Sequence, residues 1–364
     1  MKRGKQIKHI FGTVIFLAIA AVLLTLTTYV MRPTDKNLFR ARVTGFYAEE
    51  KDTLDIVGFG SSAMYRYMNS PLLWKQQGFT SYGIATAAQP VYVIRSLIDE
   101  VEKTQSPQLY IIETRRFIDE DNEEIKENRL RPVTDNMKLS LTRFQMVTDL
   151  TEGLEDRLTY YFDLMKYHGN WENLTKESWE YLFNAKEHPL KGWSVNSRHQ
   201  IINYLDVKNI TAETPITERS EKELRAILEK CKKENLQVLF VATPWQVSEE
   251  EQQKDNYVKR IVEEAGFQFL DSNYYAEEMG LDYNVDFYNP KHTNAIGAAK
   301  FTTYLGNYIK EHYDIKTDHS EEVTASWNKA AEKEEKEYEK ASEKILKKAA
   351  KAMKEAEPTQ TEQQ

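Results

Sequence analysis

The chain has 364 residues, 41% of them hydrophobic and 29% charged, with a formal net charge of −8. That length suits one large α/β domain with additions rather than a single small domain, and the acidic balance, with no nucleic-acid motif, argues against nucleic acid as a partner. The lone Cys231 rules out a disulfide within the chain, and its Lys-rich, helical surroundings mark it as structural.

Residues 1–9 form a basic end carrying Lys2, Arg3, Lys5 and Lys8, and an uncharged apolar run follows over 10–31. A bilayer core takes about 20 apolar residues. A cleaved signal peptide would have a shorter apolar stretch, about 7–15 residues, and a small-residue site after it. Here the exit reads Tyr29-Val30-Met31-Arg32-Pro33, with bulky residues in that place. The expectation is an uncleaved single-pass anchor in the cell membrane. The flanking positive charges hold its amino end in the cytoplasm and leave the main domain extracellular. Residues 32–51 read as a juxtamembrane linker.

From residue 52 the pattern becomes βα-like. Buried strands are predicted at 54–60, 109–112, 238–241 and 267–270, each a short apolar run bounded by turn residues. Helices are predicted near 91–102, 220–234, 249–264 and 296–312. Strands alternating with helices imply an open parallel sheet covered on both faces, with ligands at the carboxyl ends of the strands. The α/β domain is placed at 52–316. Between about 118 and 217 the alternation stops in an aromatic, helical segment containing Tyr160, Tyr161, Phe162, Trp171, Trp179 and Trp193. It reads as an insertion, either a cap near the site or a helical layer that never meets substrate. Residues 317–364 are rich in Lys, Glu and Ala, with a thin apolar stripe through Val323, Trp327, Ala330, Tyr338, Ile345 and Ala349. A solvated helix supported by charge pairs is expected there, contact with a partner helix being the alternative, with a disordered tail over Thr359 to Gln364.

Two stretches carry chemistry. Gly58-Phe59-Gly60-Ser61-Ser62-Ala63 closes the first strand of the domain. A nucleophilic serine needs its oxygen presented on a sharp turn with a free backbone N–H beside it. In Asp286-Phe287-Tyr288-Asn289-Pro290-Lys291-His292, a histidine precedes the last predicted helix of the sheet, with side-chain oxygens three and six positions upstream. A general base needs such an acceptor to fix its tautomer. His168, in the aromatic insertion, reads as structural, with contact to a sugar ring as the alternative, and His188, His199, His312 and His319 show no ligand spacing, so no metal is proposed. The Gly58-x-Gly60 pair lacks the third glycine of a dinucleotide fingerprint. No cofactor is expected.

Together these stretches resemble the SGNH/GDSL hydrolase superfamily. Its first block is a Gly-Asp/Ser-Ser turn after the first strand, and its last is Asp-x-x-His, often followed by x-Asn-x-x-Gly. This chain has Gly60-Ser61-Ser62 and Asn289-x-x-His292-x-Asn294-x-x-Gly297. The resemblance implies a flavodoxin-like open parallel sheet, Ser62 as nucleophile and His292 as base. It further implies an oxyanion hole to which Gly83 contributes and a pocket wall lined by Thr243; the strand end Glu113-Thr114-Arg115-Arg116 lacks the family's asparagine, which leaves the hole to backbone N–H groups or Arg115. The anchor and insertion look most like the cell-envelope branch, which includes the D-alanyl transfer protein of teichoic acid and alginate-type O-acetyltransferases. That branch implies an esterase or O-acyltransferase acting on a cell-envelope glycan or polymer, beside a membrane-bound O-acyltransferase. Asn289 departs from the family's aspartate. Three arrangements stay open: Asp286 takes the acceptor role, a Ser–His dyad works alone, or catalysis is lost and the domain binds glycan or scaffolds an acylation complex.

Overall fold

The structure is a computed structural model that describes residues 2–34, 39–119, 124–180, 182 and 185–356. The expected disordered tail, Thr359 to Gln364, lies outside the described residues.

A long helix, α1 (Lys2–Met31), leads the chain and is followed by α2 (Phe39–Phe46). The α/β domain begins with β1 (Ile56–Gly60), α3 (Ser62–Tyr67), α4 (Ser70–Gln77), β2 (Ser81–Ala85), α5 (Ile94–Val101) and β3 (Leu109–Glu113). Short helices follow: α6 (Arg115–Ile118), α7 (Glu127–Thr134), α8 (Leu141–Leu150), α9 (Leu154–Tyr161), α10 (Leu164–Tyr167) and α11 (Lys176–Glu180). A 3₁₀ segment, His168–Asn173, joins the last two. The alternation resumes with α12 (Glu218–Lys233), β4 (Val238–Ala242), α13 (Glu249–Glu264) and β5 (Gln268–Asp271). A small hairpin of β6 (Phe287–Asn289) and β7 (His292–Thr293), then α14 (Ala295–His312) and α15 (Glu321–Ala356), complete the chain.

Five parallel strands form one sheet in the order β2-β1-β3-β4-β5. Side chains alternate across a strand, and here both faces are covered. Val57, Phe59, Tyr110, Ile112 and Phe240 join the cluster under α5, α12 and α13. Ile56, Leu109, Ile111, Leu239 and Val241 join the one under α3, α4 and α14. Two-sided burial is why these strands read as near-continuous apolar runs. The chain order reverses between β1 and β3, so a crevice opens at their carboxyl ends.

Three expectations need correction. The segment read as a linker contains α2, whose Arg40, Arg42, Val43 and Phe46 are buried. Backbone carbonyls take much of the guanidiniums' hydrogen bonding: Arg40 donates to Tyr29 and Arg32, and Arg42 Nε to Gly192. The C-terminal helix is not solvated all round. Val323, Trp327, Ala330, Ala341 and Ile345 are buried, and α15 lies against α4 and α14 of its own domain. Small alanines let it approach closely, while buried Glu334 accepts from Asn69 Nδ2 at 2.7 Å. Finally, the aromatic helices of the insertion are not a cap over Ser62. α10, the 3₁₀ segment and α11 pack beside α1. Among the described residues of the insertion, it is the returning limb near Trp193 that reaches the site, where Trp193 Nε1 donates to the Arg66 carbonyl at 3.2 Å.

Trp327 is 1% exposed and lies 6.0 Å from the Trp74 ring. Trp327→Ala is expected to lower stability by about 3–5 kcal/mol and to open α15 to protease, read by chemical denaturation and by limited proteolysis of the full chain in detergent.

Candidate active site

The nucleophile turn is built on the end of β1. Gly60 is required there by close approach, since a Cβ on it would stand 2.6 Å from the Cβ of Glu113. Ser61 is the N-cap of α3, and Ser62 occupies the helix's first position. The Ser62 backbone N–H makes no hydrogen bond with the described residues, as expected of an N–H in the first turn of a helix. Beneath the turn lies Glu113, 1% exposed. Its Oε2 accepts from the Ser61 N–H at 3.2 Å and the Ser61 hydroxyl at 3.1 Å, and its Oε1 from the Arg115 N–H at 2.8 Å.

The base arrives on the hairpin. In the β6–β7 pairing Asn289 faces His292 across the turn Pro290-Lys291. The Asn289 Oδ1 takes the Lys291 N–H at 2.9 Å, an Asx-type turn, and lies 3.0 Å from His292 Nδ1. A backbone donor on that atom fixes it as the amide oxygen, so the ring must present Nδ1–H to it. His292 Nε2 is then the acceptor, and it lies 2.7 Å from Ser62 Oγ. Serine, histidine and asparagine thus form one connected line. Tyr288 stacks on the imidazole, centroids 5.4 Å apart and planes 12° apart. Asn294 caps α14 by accepting from the N–H groups of Ile296 and Gly297. Gly297 is forced by packing, since a Cβ on it would lie 2.4 Å from the Asp286 carbonyl oxygen.

The surroundings are cationic. Burial, followed by the charges of Arg115, Arg66 and Lys291, pushes the His292 imidazole down from 6.5 to about 3. It is therefore neutral at ordinary pH and free to accept a proton, but it is a weak base.

The structure places the other expected residues differently. Asp286 is not the acceptor for the imidazole. Its Oδ2 takes Lys300 Nζ at 2.6 Å and the Asp282 N–H at 2.7 Å, and burial raises its pKa. Gly83 lies in the middle of β2, paired with Gly58 and covered by Met64, two positions short of the strand's end. The loop that stands beside Ser62 is the next one, Thr86–Gln89, because Gly60 and Ala85 are in register. Ala88 in that loop has a positive φ of 48°. Arg115 and Thr243 are bonded to each other rather than open for substrate. Arg115 donates to Thr243 Oγ1 at 2.7 Å and to the Lys291 carbonyl at 2.6 Å, and its guanidinium lies 4.8 Å from the Trp245 ring centre. This clamp ties the base hairpin to β3 and β4. Pro290 adds a second tie by accepting from the Gln246 N–H at 2.8 Å.

Glu113 escaped sequence reasoning, because a carboxylate closing an apolar run looks like the strand's polar end. Glu113→Ala would leave three donors unpaired in the protein interior. It is expected to cost about 2–5 kcal/mol and to slow modification of Ser62 by an acylating probe, with Glu113→Gln intermediate because it keeps one acceptor. Denaturation midpoints and labelling rates check both.

Compared with known proteins, the chain matches no family model and no curated protein.

Proposed function

We propose that the chain is a serine esterase or O-acyltransferase of the SGNH type, working through an acyl-Ser62 intermediate. The observation that carries this reading is the 2.7 Å contact between Ser62 Oγ and an imidazole whose other nitrogen is held by Asn289. The strand order 2-1-3-4-5, which is the flavodoxin-like one, supports it as well. So does the location of the contact, at the carboxyl ends of the strands.

In this mechanism His292 Nε2 takes the Ser62 proton while Oγ attacks the acyl carbonyl. The oxyanion is met by the Ser62 N–H, with the backbone of Ala87 and Ala88 as the second donor, since the N–H groups of Thr86 and Gln89 are used within their own loop. The imidazolium returns its proton to the departing alkoxide, leaving the acyl group on Oγ. Water then releases the acid, or an acceptor hydroxyl takes the acyl group, with His292 again removing the incoming proton. Asparagine in the third position orients the ring, as it does in Cys-His-Asn enzymes. It offers no charge to the imidazolium, and a base near 3 is poorly matched to neutral pH.

Helix α1 is long and apolar enough to cross a membrane, with a candidate span over Gln6–Met31. Read as an anchor with the domain outside, it puts the site where envelope glycans and polymers are met. Acyl esters of such polymers are the proposed substrates, and a membrane-bound O-acyltransferase is the proposed acyl source. The rival, a glycan-binding domain without turnover, is favoured by Asn289 and the weak base.

A fluorophosphonate probe should label the protein, and Ser62→Ala should abolish labelling. An unlabelled wild type that leaves p-nitrophenyl acetate intact would support the rival instead. Because His292 must be neutral to act, ester turnover should stay level from neutrality down to about pH 4 and fall as pH drops through about 3. Asn289→Asp adds a carboxylate that favours the imidazolium, so the acid limb should move to higher pH and turnover should rise. The reverse exchange in a serine triad lowers turnover about 10⁴-fold. Steady-state rates from about pH 2 to about pH 8 (on the order of one unit per point) read both effects.

A further inference from the structure

The helical insertion presents apolar side chains outward beside α1. Phe162 is 60% exposed, Trp171 62% and Trp179 56%, with Met165 and Leu139 similarly open. Such a set is unusual on a water-facing surface. Several of these residues share a cavity of about 670 Å³ with α1, lined by Ala21, Leu24, Thr25 and Thr28 on one side and by Phe162, Leu164 and Met165 on the other.

Length decides what surrounds them. The candidate span Gln6–Met31 has 26 residues, about 39 Å at 1.5 Å per residue. The hydrocarbon core is about 30 Å and takes roughly 20 residues. Wherever a 20-residue window (about one bilayer core) is set within Gln6–Met31, it contains Ala21 and Leu24. The insertion residues that face them are therefore at the level of the outer half of the bilayer.

The joint between anchor and insertion is also rigid. Arg32, directly after α1, donates from Nε to Asp163 at 2.7 Å, and both side chains are buried. Arg143 donates to the other oxygen of Asp163 at 2.9 Å, and Asn170 Nδ2 donates to the Met31 carbonyl at 2.9 Å. The insertion cannot swing away from the helix without breaking a buried ion pair.

We propose that the face formed by α10, the 3₁₀ segment and α11, together with Phe162, is a membrane-embedded foot. It enters the outer leaflet beside α1, with the lipid bilayer as its partner. Trp171 and Trp179 sit at the headgroup level, where indole rings with one apolar and one polar edge are favoured. This foot fixes the domain's height and tilt over the membrane instead of leaving it on a tether. The proposal rests on the reading of α1 as a membrane span.

The test reconstitutes the full chain into phosphatidylcholine–phosphatidylglycerol vesicles made with or without lipid brominated near the headgroup end of the acyl chains. Flotation after a carbonate wash reports the span, and quenching of tryptophan emission reports the foot. Four of the six tryptophans are remote from this face: Trp193, Trp245 and Trp327 are buried, and Trp74 packs against Trp327. Brominated lipid should remove the share of emission that Trp171 and Trp179 supply. The W171F/W179F variant should lose that quenchable share while still floating, and each single variant should lose part of it. A protein that floats with emission unchanged by bromine overturns the foot alone and gives the face to a protein partner. A protein that does not float overturns both the span and the foot.

Discussion

Two oppositely charged residues, on either side of Thr114 at the end of β3, hold the two halves of the site together. Glu113 reaches under the nucleophile turn and accepts from Ser61, while Arg115 reaches across to the Lys291 carbonyl and holds the hairpin that carries His292. β3 is the central strand of the sheet, flanked by β1 and β4, and is the least free to move. The 2.7 Å contact between Ser62 and His292 spans 230 positions of sequence. Its precision derives from one strand end that grips both partners, since neither the turn nor the two-stranded hairpin would hold such a distance alone.

Much of the fold was legible because local and tertiary forces agree. α13 begins and ends where it was expected: Ser248 and Glu251 form a capping box at its start, and its apolar residues recur at helical spacing. Four strands were legible because two-sided burial demands continuous apolar runs. β2 was missed, because Ser81-Tyr82-Gly83-Ile84-Ala85 has little intrinsic strand preference and is held in place by pairing with β1. That miss let Gly83 be assigned to the oxyanion hole, whereas it lies mid-strand, paired with Gly58. The docking of α15 was hidden because alanines do much of the burying, and a stripe of alanines looks thin on any hydropathy reading. In α2, buried arginines that donate to backbone carbonyls read as a polar linker.

The pairing of Ser62 with His292 could be read from motif spacing, but the role of Asp286 could not. Six positions upstream of His292 it is near enough in sequence to compete with Asn289. The antiparallel register of β6 and β7 settles the choice, because it sets Asn289 opposite the ring and leaves Asp286 to Lys300. What remains around the imidazole is positive charge with no carboxylate bonded to the ring. The site thus joins serine, imidazole and amide in one line but gives the imidazolium no negative partner.

The packing of α15 has a consequence for the order in which the molecule becomes competent during synthesis. Ala341 and Ile345 close a small cluster with Ala295, at the head of the helix that follows the base, and with Val195 on the limb that flanks Arg66. Those contacts cannot form until the ribosome has passed Ile345. A nascent chain therefore emerges with this flank of the Ser62–His292 pair uncovered, and the flank closes only once α15 has been delivered.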